Sequence, residues 1–362
     1  MSTIGVDIKT FKNGATGISR YVRCILDELQ QIDSGNRYVL MECKPSDYAP
    51  ANPKWEKISQ NRKMPGTLWL QTVVPKLIRK HGVNIFWAPE QIAPVLRLPR
   101  GVKVATTIHD FTFRRFPETC RRTTLLIMDL LCAPTIKKSA ALLPVSDCVK
   151  RELLDFYPGL QARQKIIRTV SNGVAGPGVE MPPVKRGNFL FFAGNLEPRK
   201  NLSRLIRALE VVNKSGFELD LHLCGPTGWK NSGFHKLVES SPVRERIKHL
   251  GYLQDDELRN QYLTCKAVIF PSVYEGFGLP VIEALRLGTP ALTSKGTVME
   301  EVAGGNALYF DPYDENSIAE TIINFLEAGG PVIDQTSLDR YTWKRSAEDL
   351  LGVFNELGRE CK

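Results

Sequence analysis

Two glutamates eight residues apart, Glu275 and Glu283 in VYEGFGLPVIEALRLGTP, bracket a glycine-rich turn where a helix should begin. Pro280 suits the first turn of that helix, because an N–H there would have no intrahelical partner. Glu275 then lies in the loop and Glu283 roughly one turn into the helix. Between them the N–H groups of Gly276, Phe277 and Gly278 sit near a helix N-terminus, which attracts an anion or a row of hydroxyls. At the positive helix end Glu283 should stay ionised and accept hydrogen bonds from a vicinal diol. A tight loop followed by a helix-favouring glutamate is the bland alternative.

A second constellation lies in FFAGNLEPRKNLSRLIRAL, residues 191–209. A strand runs into Gly194, and the loop after it delivers Arg199 and Lys200 just before a helix with Asn201 as the expected N-cap. Leu202, Leu205, Ile206 and Leu209 form the buried stripe of that helix. A guanidinium fork and an ammonium at a strand-to-helix junction suit a diphosphate, although paired cations in loops are common. His109 and Asp110 end the strand KVATTI, where strand C-termini of open α/β sheets face ligands. A lone histidine is more often structural. Gly14 and Gly17 in NGATGISRYV make a loop like a phosphate cradle, but it matches neither G-x-G-x-x-G nor a Walker A motif. No metal-ligand set is present, since DDEL at 255–258 reads as first-turn helix acids and DPYD at 311–314 as a turn. The charge of a diphosphate would fall to Arg199, Lys200 and helix ends, with no metal or other cofactor expected.

The elements that must hold these residues alternate between short apolar runs and helical patterns. STIGVDI, RYVLMEC, NIFWAP, KVATTIHD, ALLPVS and IIRTVSNGV read as strands, with a helix over SRYVRCILDELQQI between the first two. AGPGVEMPPVKRG, residues 175–187, breaks the rhythm, which restarts with NFLFFAG, LDLHLCG, IKHLGYL and AVIFPS. The pattern predicts an α/β protein of two doubly wound, Rossmann-like domains, 1–176 and 188–344, joined by a linker at 177–187. YTWKRSAEDLLGVFNELG, residues 341–358, reads as a final amphipathic helix, and the C-terminal segment 345–362 could pack back on the first domain.

Residues 1–186 hold 29 Lys and Arg against 15 Asp and Glu, a charge of +14, and the remainder is at −5. Only one half would then meet an anionic partner such as nucleic acid, a phosphorylated substrate or a membrane surface. NRKMPGTLWLQTVVPKLIRKHG, residues 61–82, could supply a basic amphipathic surface, or be a packed helix pair broken at Pro75. The longest apolar stretch, TTLLIMDLLCAPTI at 123–136, is interrupted by Asp129 and too short to span a bilayer. Eight scattered cysteines without a C-x-x-C pair read as reduced thiols, which points to the cytoplasm.

GNLEPRKN, followed about eighty residues later by the E-x7-E of EGFGLPVIE, resembles the retaining glycosyltransferases of family 4, which have the GT-B fold. The likeness extends through GATGISRY, HD at 109, VS at 145, NGV at 172, LGYL at 250, ALRLGTPALTS, EVAGGNALYFDP and YTWKRSA. It implies that Arg199 and Lys200 hold the donor diphosphate, Glu275 faces the transferred sugar and Glu283 grips the nucleotide ribose. It also places the amides of Phe277, Gly278 and Leu279 on sugar or phosphate oxygens, and Tyr252 and Leu253 near the base. His109, from the other domain, would reach donor sugar and acceptor, with Asp110 beside it, and Gly14 and Gly17 would allow close backbone approach at the cleft. The implied reaction is metal-independent transfer with retention at the anomeric carbon.

The flavour resembles bacterial mannosyl- and rhamnosyl-type members acting on surface polysaccharide such as O-antigen. A GDP-sugar is favoured over a UDP- or dTDP-sugar. A lipid-diphosphate-linked acceptor, for instance on undecaprenyl diphosphate, and an anionic surface at the inner membrane face suit the basic first half. A GT-B epimerase or phosphorylase is a near alternative. A nucleic-acid-binding protein is disfavoured because the basic residues are dispersed and no such motif is present. A nucleotide-binding dehydrogenase would need a G-x-G-x-x-G and a ribose-binding acid that are missing.

Overall fold

The computed structural model describes all residues except 14–15, 62, 163, 175–184, 227–231 and 360–362. The chain forms two compact units, Met1–Gly173 together with Tyr341–Lys362, and Val174–Arg340.

The first unit is built on β1 (Thr3–Asp7), β2 (Arg37–Glu42), β3 (Trp55–Ser59), β4 (Ile85–Ala88), β5 (Lys103–Ile108), β6 (Ala141–Pro144) and β7 (Ile166–Ile167). These strands pair in parallel in the order β3-β2-β1-β4-β5-β6-β7. Strands such as IFWA and ALLP are apolar throughout because both sheet faces are covered. Sequence reasoning misses β3, whose WEKIS alternates with charge. As the edge strand it buries only Trp55, stacked on Tyr38 at 4.1 Å between ring centres.

Helix α1 (Gly17–Ile32) lays Tyr21, Val22, Ile25, Leu26 and Leu29 on the sheet. It starts at a capping box in which Ser19 N–H donates to Thr16 Oγ1 at 3.1 Å and Thr16 N–H to Ser19 Oγ at 2.8 Å. Segment 61–82 holds the packed pair: α2 (Gly66–Thr72) and α3 (Val74–Lys80) bury Trp69, Leu70, Val74, Leu77 and Ile78 in the core, while Leu68, Lys76, Arg79 and Lys80 stay exposed. The break falls at Val73, and Pro75 sits in the first turn of α3, where its ring is tolerated. Helix α4 (Arg122–Lys138) crosses from the end of β5 towards β6.

The second unit carries β8 (Phe189–Ala193), β9 (Asp220–Cys224), β10 (Ile247–Gly251), β11 (Ala267–Phe270), β12 (Ala291–Ser294) and β13 (Ala307–Phe310). They form a parallel sheet in the order β10-β9-β8-β11-β12-β13. Its helices include α5 (Leu202–Lys214), α6 (Asp255–Thr264) and α7 (Leu279–Arg286).

The last helix, α8 (Trp343–Arg359), packs on α1 in the first unit and buries Leu350, Val353, Phe354 and Leu357. Ser346 Oγ donates to the Ser171 carbonyl at 2.6 Å, and Arg168 pairs with Glu356 at 2.9 Å. Gly173 is required here, since a Cβ would lie 2.2 Å from the Trp343 nitrogen.

In each sheet the first strand lies between the second and the fourth, so the chain reverses its direction of progress there. Loops leaving the two central strands diverge and open a crevice at their C-terminal ends. These switch points, after β1 and β4 in one unit and after β8 and β11 in the other, hold the residues described next. The seven described cysteines are free thiols.

Candidate functional site

In the second unit the chain leaves β8 through Gly194 at φ +149°. Beside it, after β9, Gly225 is at φ +127°, and a Cβ there would come 2.2 Å from the Gly194 carbonyl oxygen. Only glycine lets the two loops pass this closely. The loop then tightens into a 3-10 turn, Pro198–Lys200, that aims Arg199 and Lys200 across the switch point. The facing loop, after β11, supplies Glu275. Arg199 Nη1 lies 2.7 Å and Lys200 Nζ 2.5 Å from the same oxygen, Glu275 Oε1.

Further bonds stitch the two loops together. Val273 N–H donates to the Arg199 carbonyl at 3.0 Å, and Arg199 Nη1 donates to the Tyr274 carbonyl at 3.1 Å. Arg199 Nε also meets Glu197 at 3.3 Å, and Lys200 Nζ stands 4.7 Å over the Phe270 ring. Burial by itself would raise the Glu275 carboxyl, but Arg199 and then Lys200 outweigh it and hold the group at about 2. Burial, the main influence on Lys200, pushes its ammonium below the ordinary lysine value in spite of Glu275. A permanently ionised carboxylate clamped by two cations can stabilise charge that develops beside it, and the cations can share themselves with an incoming anion.

Asn201 does not cap α5 as expected. Its backbone is left-handed at φ +60°, whereas a side-chain N-cap needs extended φ and ψ, so the amide turns away from the first helical N–H groups. It donates instead to the carbonyls of Pro271 at 3.1 Å and Pro312 at 2.6 Å, and accepts from Arg204 at 2.9 Å. Asn201 thereby anchors the end of β11 to the base of α5, a role invisible in the local sequence. Ser272, also unremarked in the sequence, is 1% exposed, and its Oγ has no hydrogen-bond partner. An unpartnered buried hydroxyl beside this loop is costly unless a ligand oxygen or water meets it.

Gly278, at φ +96°, begins α7, with Leu279 its first residue and Pro280 in the first turn. Gly276 and Phe277 are buried in the loop before it. Glu283, one turn further on, accepts from Tyr262 Oη at 2.8 Å. Gly194, Arg199, Lys200 and Glu275 are thus brought together at one switch point, with Glu283 on the helix that follows. Tyr252 and Leu253 come after β10, two strands away from β8. Tyr252 is 57% exposed, and Leu253 packs against the cluster of Phe191 and Tyr262.

In the first unit His109 directly follows β5. Its Nε2–H donates to the Pro89 carbonyl at 2.7 Å, and its ring meets Tyr21 edge-on at 5.1 Å. Burial holds the imidazole below its ordinary value, outweighing the Pro89 bond and the nearby Asp110 and Glu90. The neutral ring therefore keeps Nδ1 as an acceptor. Asp110 is used locally: its Oδ1 accepts from Thr112 N–H at 2.8 Å and its carbonyl from Gln91 at 2.6 Å. Gly14 lies outside the described residues. A Cβ on Gly17 would meet nothing within 4 Å, so packing does not demand glycine there.

The cluster that sequence reasoning misses is at the switch point of this sheet. Lys9 Nζ is 2.6 Å from Asp7 Oδ2 and 2.8 Å from Glu90 Oε2, joining the ends of β1 and β4. Its signal is a charge at each of two strand ends, in GVDIK and WAPE, which means little until the strands are known to be neighbours.

Among the described residues no three His, Cys, Asp or Glu side chains converge as a metal site, and no helix is long and apolar enough to cross a membrane.

Comparison with known proteins gives a consistent picture. The chain is 29% identical over 256 residues to O-antigen chain mannosyltransferase B of Escherichia coli, covering 68% of this chain and 65% of that protein. It is 28% identical over 218 residues to O-antigen chain mannosyltransferase RfbU of Salmonella typhimurium, covering 60% and 59%. The matches thus span less than two thirds of these curated relatives. Among solved structures it resembles sucrose-phosphate synthase of Thermosynechococcus elongatus, with a TM-score of 0.78, 17% identity, and 99% and 100% of the two chains covered. It also resembles Anabaena HepE in complex with UDP and glucose, with a TM-score of 0.72, 18% identity, and 98% and 99% covered. Residues 180–344 match the family described as glycosyl transferases group 1, and the chain has the GT-B fold of these solved structures.

Proposed function

We propose that this protein moves a hexose from a nucleotide sugar to a growing surface polysaccharide, with retention at the anomeric carbon and without a metal. The observation that carries the reading is Glu275 clamped by Arg199 and Lys200 at the switch point of a group 1 domain. In the reaction the bond from the anomeric carbon to the donor diphosphate oxygen breaks. A bond to an acceptor hydroxyl oxygen forms on the same face, and the acceptor proton passes to the departing diphosphate. Arg199 and Lys200 take the negative charge that grows on the leaving group, while Glu275 faces the sugar as positive charge grows on its ring. Glu283 takes the ribose hydroxyls, the amides of Phe277, Gly278 and Leu279 take donor oxygens, and Tyr252 and Leu253 flank the base. Neutral His109, with Asp110 beside it, serves the acceptor side.

Mannose or a related sugar carried on GDP is the favoured donor, supported by the names of the curated relatives. The specific observation in favour of a UDP-sugar is the UDP in the HepE structure. The favoured acceptor is a lipid-diphosphate-linked glycan, which would bring the protein to the inner face of the cytoplasmic membrane.

A thermal-shift panel of GDP-, UDP- and dTDP-sugars, with NAD as the outgroup, tests the donor. A nucleotide sugar at a hundred times its Kd should stabilise the protein by about 2.7 kcal/mol. Stabilisation by NAD alone, or an inverted anomeric product by NMR, would overturn the reading.

A further inference from the structure

The longest apolar stretch of the sequence turns two of its leucines outward. Helix α4 buries Cys132, Thr135 and Ile136 on one side. On the opposite side Leu126 is 61% and Leu130 62% exposed. At i, i+4 and i+8 spacing these leucines share a stripe with Arg122, and Lys137 continues it at the far end. Both cations are exposed, and exposed Asp129 sits at the stripe's margin. A helix that is apolar on both sides should be covered on both.

A second observation lies where α4 ends. A cavity of about 320 Å³ is lined by Lys103, Lys138, Lys165, Ser139 and Gln164. Lys138 donates to the Val95 carbonyl at 2.5 Å and Lys165 to the Lys137 carbonyl at 2.9 Å, so the ammonium groups are fixed in place. Eight residues of helix separate Leu130 from Lys138, about 12 Å.

We propose that α4 is a docking surface for an anionic lipid bilayer. Leu126 and Leu130 enter the boundary between headgroups and acyl chains, Arg122 and Lys137 pair with headgroup phosphates, and the lysine-lined cavity receives one more. An exposed apolar stripe with cationic ends is the pattern of a helix lying in a membrane interface. A second copy of the chain fits less well, because it would set two surfaces from a +14 half against each other. The inference deepens the reading of a lipid-linked acceptor by naming the surface that meets the membrane.

The test is vesicle flotation of the full chain without nucleotide or acceptor, so its outcome is independent of the transferase assay. Vesicles of phosphatidylcholine mixed with phosphatidylglycerol should carry the protein, vesicles of phosphatidylcholine alone should not, and raised salt should release it. Leu126→Asp with Leu130→Asp should weaken partitioning by roughly tenfold or more. Arg122→Glu with Lys137→Glu should weaken it by about tenfold. All four side chains are exposed, so the nucleotide-sugar thermal shift should stay at the wild-type value and certify the fold. Wild-type partitioning by the double leucine variant would overturn the proposal, as would equal binding to neutral vesicles. So would a wild-type dimer, seen by light scattering, that the leucine variant dissolves.

Discussion

At the switch point of the first sheet a lysine is held between two carboxylates, and at that of the second a carboxylate is held between two cations. The topology is the same, a parallel sheet whose central strands deliver short loops to one crevice. The sign of the cluster is therefore set by the residues after the strands and not by the fold. In the first unit burial would lower Lys9, but Asp7 and Glu90 outweigh it and raise the ammonium, while burial dominates Asp7 and pushes its carboxyl up. The excess of acceptor oxygens there suits neutral hydroxyl groups. In the second unit the excess of donors suits a diphosphate. The local signs also oppose the totals, since the half at +14 holds the carboxylate-rich cluster and the half at −5 the cation-rich one. The basic charge of the first half therefore belongs to its outer surface, where α4 lies.

The largest expected effects break the second cluster alone. Lys200→Ala removes one charge-stabilising donor and should lower the transfer rate by about 10² to 10³ while leaving Arg199 on Glu275 and the fold intact. Glu275→Gln, which keeps the volume, should have a similar effect on transfer. Full activity in either variant, measured with the donor found in the thermal-shift panel, would sink the assigned roles.

Breaking the first cluster should act on stability instead. Lys9→Ala leaves Asp7 and Glu90 facing each other without a cation, a loss of about 3 kcal/mol of unfolding free energy. The loss should shrink as the pH is lowered, because a carboxyl raised above its unfolded value favours the folded state when protonated. Nucleotide-sugar stabilisation should be unchanged. If Lys9→Ala abolishes it, the two clusters serve one ligand and the contrast between them fails.

Much of this contrast was legible one residue at a time. Strand and helix types followed from apolar periodicity, and the GT-B fold from motifs spread along the chain. The loop position of Glu275 and the helical position of Glu283 followed from Pro280, and the approach of Arg199 and Lys200 from the strand that runs into Gly194. What could not be read is whatever depends on neighbours distant in sequence. Asn201 looked like an N-cap, yet a left-handed backbone sends its amide to Pro271 and Pro312. The need for glycine at 225 shows only once Gly194 lies against it. Asp7, Lys9 and Glu90 become a cluster only when β4 is placed beside β1. Which faces of segments 61–82 and 123–136 are covered could not be read for the same reason. Periodicity shows that a helix has an apolar face but not whether another element covers it, and the covered one was α2 with α3.

A smaller effect separates the clusters by pH. The folded Glu275 carboxyl is held at about 2 against an ordinary 4.5, so its contribution to stability is fully present above about pH 4.5. It is lost as the pH falls through about 2. In Lys200→Ala one of the opposing cations is gone while the raising effect of burial remains, so less stability is lost in that window. Acid unfolding followed by circular dichroism should therefore be less steep for Lys200→Ala than for wild type. Equal steepness in the two proteins would mean that Arg199 alone sets the state of Glu275.

The smallest expected effect is that of chelation, and it tests why the second cluster carries two cations. A leaving diphosphate must have its growing charge neutralised, either by a divalent metal or by fixed protein charge. Arg199, Lys200 and the N-terminus of α7 together can supply that charge, so EDTA should leave the rate of transfer unchanged. Lys200→Ala removes part of it, and added Mg²⁺ should restore little because among the described residues no carboxylate set is built to hold the ion beside the cluster. A strict metal requirement in the wild type would show that Arg199 and Lys200 serve only to keep Glu275 ionised. The two switch points would then differ in the sign of a buried ion pair and not in the charge of what they bind.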